Sequence, residues 1–314
     1  MRAIFLGTPP SAVPTLDALV QAGHAVARVV TRPDRPVGRS GAARAPAVKV
    51  AAERLGIEVE QPENIRTPDF AHSLRATDPD VLVVVAYGRI LPRAVLDAAR
   101  IAPLNVHFSL LPRYRGAAPV QWALVAGETS TGVTTMRMSE GLDEGDVLLQ
   151  ETVRIEPQEH APALLERLSG VGARLLIRTL DGLARGTLTP RPQDPSRASY
   201  APILKRQDGV ADFARAAREI EGRVRGFDPW PGVWARRRGR RVRIVEAHAV
   251  PGALVTEPSG RVLALEDGTL GIACGGGTVL AVRAIRPEGR RVLSARDAVN
   301  GRQLLPGDDL DGGR

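Results

Sequence analysis

Apolar positions in the first ~185 residues switch repeatedly between a strand-like and a helix-like spacing. Ala3–Leu6 is a short apolar run closed by Gly7-Thr8-Pro9-Pro10, and Ala25–Thr31, Val81–Val85 and Ile101–Val106 are further runs of strand length. Between them, Val13–Ala22 carries Val13, Leu16 and Leu19-Val20 on one helical face. Ala47–Leu55 is helical and stops at Gly56, and Val95–Ala99 predicts a short helix. Val81–Val85 is apolar at every position, which suits a parallel strand covered on both faces. This alternation predicts an α/β domain with a doubly wound, Rossmann-like, mostly parallel sheet.

The pattern breaks from Leu183 to Asp208, where Pro190, Pro192, Pro195 and Pro202 leave no periodic apolar face. Such a stretch reads as an extended, proline-stiffened linker. After it, Val210–Arg223 predicts one amphipathic helix. Val233–Ala235, Val242–Ala247, Arg261–Leu265, Thr269–Ala273 and Thr278–Ala284 predict short strands between glycine turns. That spacing suggests a small β-barrel, OB-like in size. The expected organisation is a catalytic domain over 1–185, a linker over 186–207 and a smaller β-rich domain over 208–314. A length of 314 residues agrees with two domains of roughly 100–200 residues each.

Composition narrows the class. Hydrophobic residues make up 43% and charged residues 25%, as in soluble globular chains rather than disordered or fibrous ones. No apolar run approaches the ~18 residues that cross a bilayer, and the first residues run straight into a strand with no leader pattern. A cytoplasmic, non-membrane protein is expected. Cys274 is the only cysteine, which excludes an intrachain disulfide and a cysteine zinc cluster. The net charge of +8 favours a polyanionic partner. Lys49 and Lys205 are the only lysines, however, so an arginine-rich composition alone would give the same sum.

The candidate chemistry lies elsewhere than in the first turn. Gly7-Thr8-Pro9-Pro10-Ser11 lacks the glycine spacing of a dinucleotide site, and its prolines remove amide donors. Asn105 and His107 stand two apart at the end of an expected strand, so they project to one side. In open α/β sheets that end is where ligands bind. An amide donor can hold the negative charge that builds when an amine attacks a carbonyl, and an imidazole can take the proton the amine sheds. The next residues, Ser109-Leu110-Leu111-Pro112-Arg113-Tyr114-Arg115-Gly116, form an irregular loop unusual after a strand. The turn Glu140-Gly141-Leu142-Asp143-Glu144-Gly145-Asp146 is rich in carboxylates. Such a turn is ordinarily solvated; a carboxylate placed beside His107 would instead orient the ring.

Together these elements resemble the folate-dependent formyltransferase family. The Asn-x-His, Ser-Leu-Leu-Pro and Gly-Leu-Asp-x-Gly-Asp elements are shared across that family. The runs Thr31–Arg39, Val83–Pro92, Arg113–Gln121 and Phe227–Gly232 are similar to those of its tRNA-directed branch, and they extend over both expected domains. The resemblance implies that Asn105 polarises the formyl carbonyl, His107 is the acid/base group and Asp143 fixes it. It implies a folate site formed by Ser109, Leu110, Leu111, Pro112, Tyr87 and Gly88. It implies 10-formyltetrahydrofolate as donor, no metal, and the methionine amine of initiator methionyl-tRNA as acceptor, with the enzyme expected to act as a monomer. Competing expectations are a small amine acceptor, or a noncatalytic RNA-binding chain.

For the tRNA, the resemblance implies contacts from the basic loop at Arg35, Arg39 and Arg44. In the second domain Arg236-Arg237-Arg238-Gly239-Arg240-Arg241 is either surface charge or an RNA-facing hairpin, with Arg237, Arg238 and Arg240 as the expected contacts. Tyr114 and Trp122 are candidate stacking surfaces, with core packing favoured for Trp122. The chain departs from the family at Ser40-Gly41-Ala42-Ala43, where more lysine is usual. It departs also at Pro10, where an acidic residue is common, and at Phe108, where a very small residue is usual.

Overall fold

In the computed structural model, which describes residues 1–36, 43–266 and 268–312, the apolar runs of the first half become strands of one sheet. In chain order these are β1 (Arg2–Gly7), β2 (Ala25–Val30), β3 (Val59–Glu60), β4 (Val81–Val85) and β5 (Ala102–His107). The hairpin β6 (Ser130–Arg137) and β7 (Val147–Arg154) completes it. The order is β7-β6-β5-β4-β1-β2-β3. From β5 to β3 the neighbours are parallel, whereas β6 and β7 join antiparallel. Every residue of β4 is buried, which contributes about 1.5–3 kcal/mol for each large apolar side chain.

Helices α1 (Val13–Gln21), α2 (Ala47–Arg54), α3 (Pro68–Ala76) and α4 (Arg93–Leu96) connect the parallel strands. The doubly wound expectation holds, with two local differences. The helix expected at Val95–Ala99 lies earlier, beginning just after Pro92 as its N-cap. Helix α3 was not expected, although its start carries cap signals: the Thr67 hydroxyl accepts from the Phe70 N–H, with Pro68 in the first turn. Because strand order diverges between β1 and β4, the crevice beyond their carboxyl ends is the ligand position typical of such sheets.

The chain divides into two compact units. One comprises Met1–Pro119, Ser130–Arg154 and Leu165–Pro202, and holds this sheet. The other comprises Val120–Thr129, Ile155–Leu164 and Ile203–Arg314. Helix α5 (Pro119–Val125) lies almost wholly in the second unit, while α6 (Ala161–Ala184) begins there and continues in the first.

Within the second unit, α7 (Ala217–Gly226) turns a glycine face to α5. A Cβ at Gly222 would lie 2.8 Å from the Leu124 carbonyl oxygen, and one at Gly226 2.6 Å from that of Gln121. The helix expected over Val210–Arg223 is therefore shorter and later. Its first part is extended because Val210 bridges Trp234 in parallel and the Ala211 N–H donates to the Trp234 carbonyl. A strand partner satisfies those backbone groups before a helix can.

The strands β8 (Val233–Arg237), β9 (Arg240–Ala249), β10 (Val262–Ala264), β11 (Leu270–Ala273) and β12 (Val279–Pro287) follow. They pair in the order β8-β9-β12-β11-β10, and Leu293–Ser294 adds to β12. This antiparallel sheet curls into a half-barrel around Ile244, Ile272, Val282 and Ile285. The segment Asp309–Asp311 completes the ring, bridging Arg236 on β8 and Arg261 beside β10. The barrel expectation is met in this form.

Candidate active site

β5 ends as its alternation demands. Val106 and Phe108 face helix α6, where an added Cβ on Gly172 would meet Val106 at 2.8 Å and Phe108 at 3.5 Å. The Phe108 ring is thus spent on helix packing and points away from its neighbour His107. Asn105 and His107 take the other face, buried to 8% and 6% exposure.

Asp143 reaches the same point from the loop between β6 and β7. Its Oδ1 accepts from Asn105 Nδ2 at 3.3 Å, and its Oδ2 lies 3.6 Å from His107 Nδ1. The Gly116 N–H donates to Oδ2 at 2.8 Å. The structure therefore brings the three residues together, and the acidic turn is not merely solvated. His107 Nε2 lies 2.9 Å from the Tyr114 carbonyl. A carbonyl only accepts, so Nε2 carries the hydrogen. Gly116 has φ +117, and a Cβ there would lie 2.7 Å from the Ala201 carbonyl oxygen, so no other residue fits.

The loop Ser109–Pro112 is fastened from several sides. Ser109 Oγ donates to the Arg113 carbonyl at 2.7 Å. Thr134 Oγ1 donates to the Ser109 carbonyl and accepts from the Leu111 N–H. Gln150 Nε2 donates to the Leu111 carbonyl at 2.8 Å. Leu110 packs on Gly132, and Leu111 joins Met136 and Val147 in a small apolar core. Pro112, half-buried, follows through a cis peptide bond. Thr134 and Gln150 were not singled out from sequence; they occupy ordinary strand positions and carry no motif.

Tyr87 and Gly88 lie at the crevice beyond β4. The Tyr87 carbonyl accepts from Thr8 Oγ1 at 3.2 Å, but its side chain is buried in the apolar core of the first unit, where burial pushes its phenol pKa up. Only backbone at Tyr87 and the exposed Gly88 is available to a ligand. A larger opening, a cleft of about 620 Å³, lies along the acidic loop. Leu96, Ile101, Pro103 and Met138 give it apolar walls, and Arg93, Asp97, Arg137, Ser139, Glu140 and Glu144 line it with polar groups. Pro103 shares its face of β5 with Asn105 and His107 by the two-residue period. Among the described residues no group of three or more His, Cys, Asp or Glu is placed to hold a metal, and no helix is long and apolar enough to cross a membrane.

The expected tRNA contacts separate into distinct environments. Arg35 and Arg44 are exposed on a short antiparallel ribbon, Arg35–Pro36 against Ala43–Arg44. Arg39 and Ser40-Gly41-Ala42 lie outside the described residues. Arg238 and Gly239 form the tight turn between β8 and β9 at φ 48 and 79, and Arg238 and Arg240 are exposed. Arg237 differs: its guanidinium forks onto Asp308, Nε to Oδ2 at 2.5 Å and Nη2 to Oδ1 at 3.0 Å. Trp122 packs edge-on against Phe227 at 5.7 Å, and the Arg113 guanidinium lies 5.2 Å from the Tyr114 ring centre.

The formyl transferase pattern matches residues 1–180, and the formyl transferase C-terminal domain pattern matches residues 203–303. The methionyl-tRNA formyltransferase of Acidobacterium capsulatum is 48% identical over 307 residues, covering 98% of each chain. That of Solibacter usitatus is 47% identical over 313 residues, covering 100% of this chain and 99% of the other. The fold is shared more widely. The sugar 3N-formyl transferase WlaRD, solved with dTDP and 5-N-formyl-THF, superposes with a TM-score of 0.67 at 15% identity, covering 93% of this chain and 99% of that one. HypX of Aquifex aeolicus in complex with tetrahydrofolic acid superposes with a TM-score of 0.64 at 19% identity, covering all of this chain and 51% of its own. With near-complete coverage and almost half its residues identical to these relatives, the chain belongs to the methionyl-tRNA formyltransferase family.

Proposed function

We infer that the protein transfers the formyl group of 10-formyltetrahydrofolate to the α-amine of initiator methionyl-tRNA, giving N-formylmethionyl-tRNA for translation initiation. The observation that carries this reading is the gathering of Asn105, His107 and Asp143 at the end of β5 in a chain of this family.

We place the folate in the 620 Å³ cleft along the acidic loop, which falls in the size range of small-molecule sites. Pro103, in its lining, stands on the same face of β5 as Asn105 and His107 by the two-residue period. The bound co-substrate supplies a formyl carbonyl carried on nitrogen. Asn105 Nδ2 has a second hydrogen beyond the one given to Asp143, and donates it to the carbonyl oxygen as negative charge builds there. The new C–N bond forms as the amine adds, and the bond to the donor nitrogen breaks as that nitrogen takes up a proton. His107, turned from the Tyr114 carbonyl into the tautomer whose Nδ1–H faces Asp143, takes the proton lost by the amine on Nε2 and hands it to the departing donor nitrogen. Asp143 holds the ring and offsets its charge while it is protonated. Ser109–Pro112, with the backbone of Tyr87 and Gly88, shape the surroundings of the donor.

We assign catalysis to residues 1–185 and tRNA holding to 208–314, joined by 186–207. Exposed Arg35, Arg44, Arg238 and Arg240 are assigned to phosphates, which they attract regardless of sequence. Arg39 belongs with them by its place in the basic loop. We take the protein to act as a cytoplasmic monomer. A sugar-amine acceptor, suggested by the fold likeness to WlaRD, would leave these exposed arginines without a purpose.

The test is a formyl-transfer assay offering charged initiator methionyl-tRNA, glycinamide ribonucleotide and an amino-sugar nucleotide in parallel. Transfer to the charged tRNA alone is expected. Transfer to a small amine in its place would overturn the assignment.

A further inference from the structure

We propose that Gln193, in the proline-rich segment, is a positioning residue that holds the Asp143 loop in the shape that presents its carboxylate to His107 and Asn105. The proposal rests on the formyl-transfer reading above.

Gln193 grips the loop backbone. Its Nε2 donates to the carbonyls of Asp143 at 2.8 Å and Gly145 at 2.7 Å. Its Oε1 accepts from Arg115 Nε at 3.0 Å and Nη2 at 2.7 Å. Only one orientation of the amide is possible, because two carbonyls cannot donate and a guanidinium cannot accept. Both hydrogens and both lone pairs are therefore used.

The anchor of this grip is itself fixed. Arg115 is 5% exposed, its N–H donates to the Ser199 carbonyl, and Arg115-Gly116 pairs in parallel with Tyr200-Ala201. The adjacent Gly116 donates its N–H to the Asp143 carboxylate. Asp143 is thus held at two points from one short segment: its carboxylate by Gly116, and its carbonyl by Arg115 through Gln193. Such support matters at Asp143, which sits at φ 51, a left-handed conformation uncommon outside glycine although Asp adopts it more readily than most residues. Without the amide, the loop is free to relax and the carboxylate to leave His107.

The main variant is Gln193→Glu, which keeps the acceptor for Arg115 but sets a charged oxygen against two carbonyl oxygens. Gln193→Met, similar in length with no donor, takes its place if the first does not fold. The expected result is a fall in kcat of up to about 100-fold with the KM for charged tRNA unchanged. In an Asp143→Asn background the same substitution should cost little more, because both act through one carboxylate. Hydrogen exchange at the Gly116 amide should accelerate in the Gln193 variants, whatever the acceptor. An unchanged kcat, or losses that simply multiply in the double variant, would overturn the proposal. Were the wild type to formylate no tRNA while Gly116 exchange still accelerated, the functional reading would fall and the positioning link would stand.

Discussion

Arg35 and Arg44 stand directly opposite each other on an antiparallel ribbon, and both are exposed. Like charges so placed repel, and a phosphate brought between them relieves the cost. We expect Arg35→Ala and Arg44→Ala each to weaken tRNA binding and to lower the slope of log affinity against log salt by about 1. The rate at saturating tRNA should be nearly unchanged. A salt titration of binding checks this, and an unaltered slope would reduce the pair to solvated surface charge.

Asn105 should matter to the rate and hardly to tRNA binding. Asn105→Ala removes the donor proposed for the developing negative charge, a loss worth about 100- to 1,000-fold in kcat elsewhere. The hydrogen bond to Asp143 lost with it should cost roughly 1 kcal/mol of stability. Single-turnover kinetics with saturating donor, alongside a tRNA binding isotherm, separates the effects. An equal loss of binding and rate would point to a structural role.

The arginines of the β8–β9 hairpin should divide sharply. Asp308 is 7% exposed and its fork with Arg237 is largely hidden from solvent, so Asp308→Ala should cost about 3–5 kcal/mol of stability. Arg238→Ala, at an exposed turn, should leave the melting temperature close to that of the wild type. Burial pushes the Asp308 carboxyl up, but Arg237, the Leu305 amide and Arg238 outweigh it and hold the group below the usual carboxylate range. A depressed folded value means the stabilisation is fully present above the unfolded pKa of about 3.9 and is lost as pH falls through the folded one. The difference in melting temperature between wild type and Asp308→Asn should therefore shrink below about pH 4. A difference constant with pH would contradict this account.

Cys274 should be chemically silent. Burial pushes its thiol up to about 12, and the side chain is 2% exposed. A disulfide-exchange reagent at pH 8 should leave the native enzyme active and unlabelled, and should titrate one thiol after unfolding. Fast labelling of the native chain would show that β11 and its neighbours open readily.

The parts legible in the sequence were those set by local periodicity. Val81–Val85 announced a covered strand, and the spacing of Asn105 and His107 put both on one face before Asp143 could be tied to them. Contacts made across long separations left no such mark. Gln193 looks like one polar residue among prolines, and only folding sets it on the Asp143 loop, 50 positions away. Arg237 reads as one more exposed arginine because Asp308 is 71 residues distant. Val210–Ala211 has a helical apolar pattern, but Trp234 supplies a strand partner instead. In each case a tertiary hydrogen bond, invisible to a local window, decided the outcome.

The bridges from Asp309 and Asp311 to Arg261 and Arg236 make the last residues of the second unit a cover for both margins of its sheet. Unpaired strand margins are templates for adding a strand from another molecule. A chain shortened ahead of Asp308 would expose the main-chain groups of Arg236 and Arg261 together, offering a second copy two places to dock. Its solubility, more than its catalytic rate, would then depend on concentration, and the harm from losing a few terminal residues would show as polymer rather than as a slower enzyme.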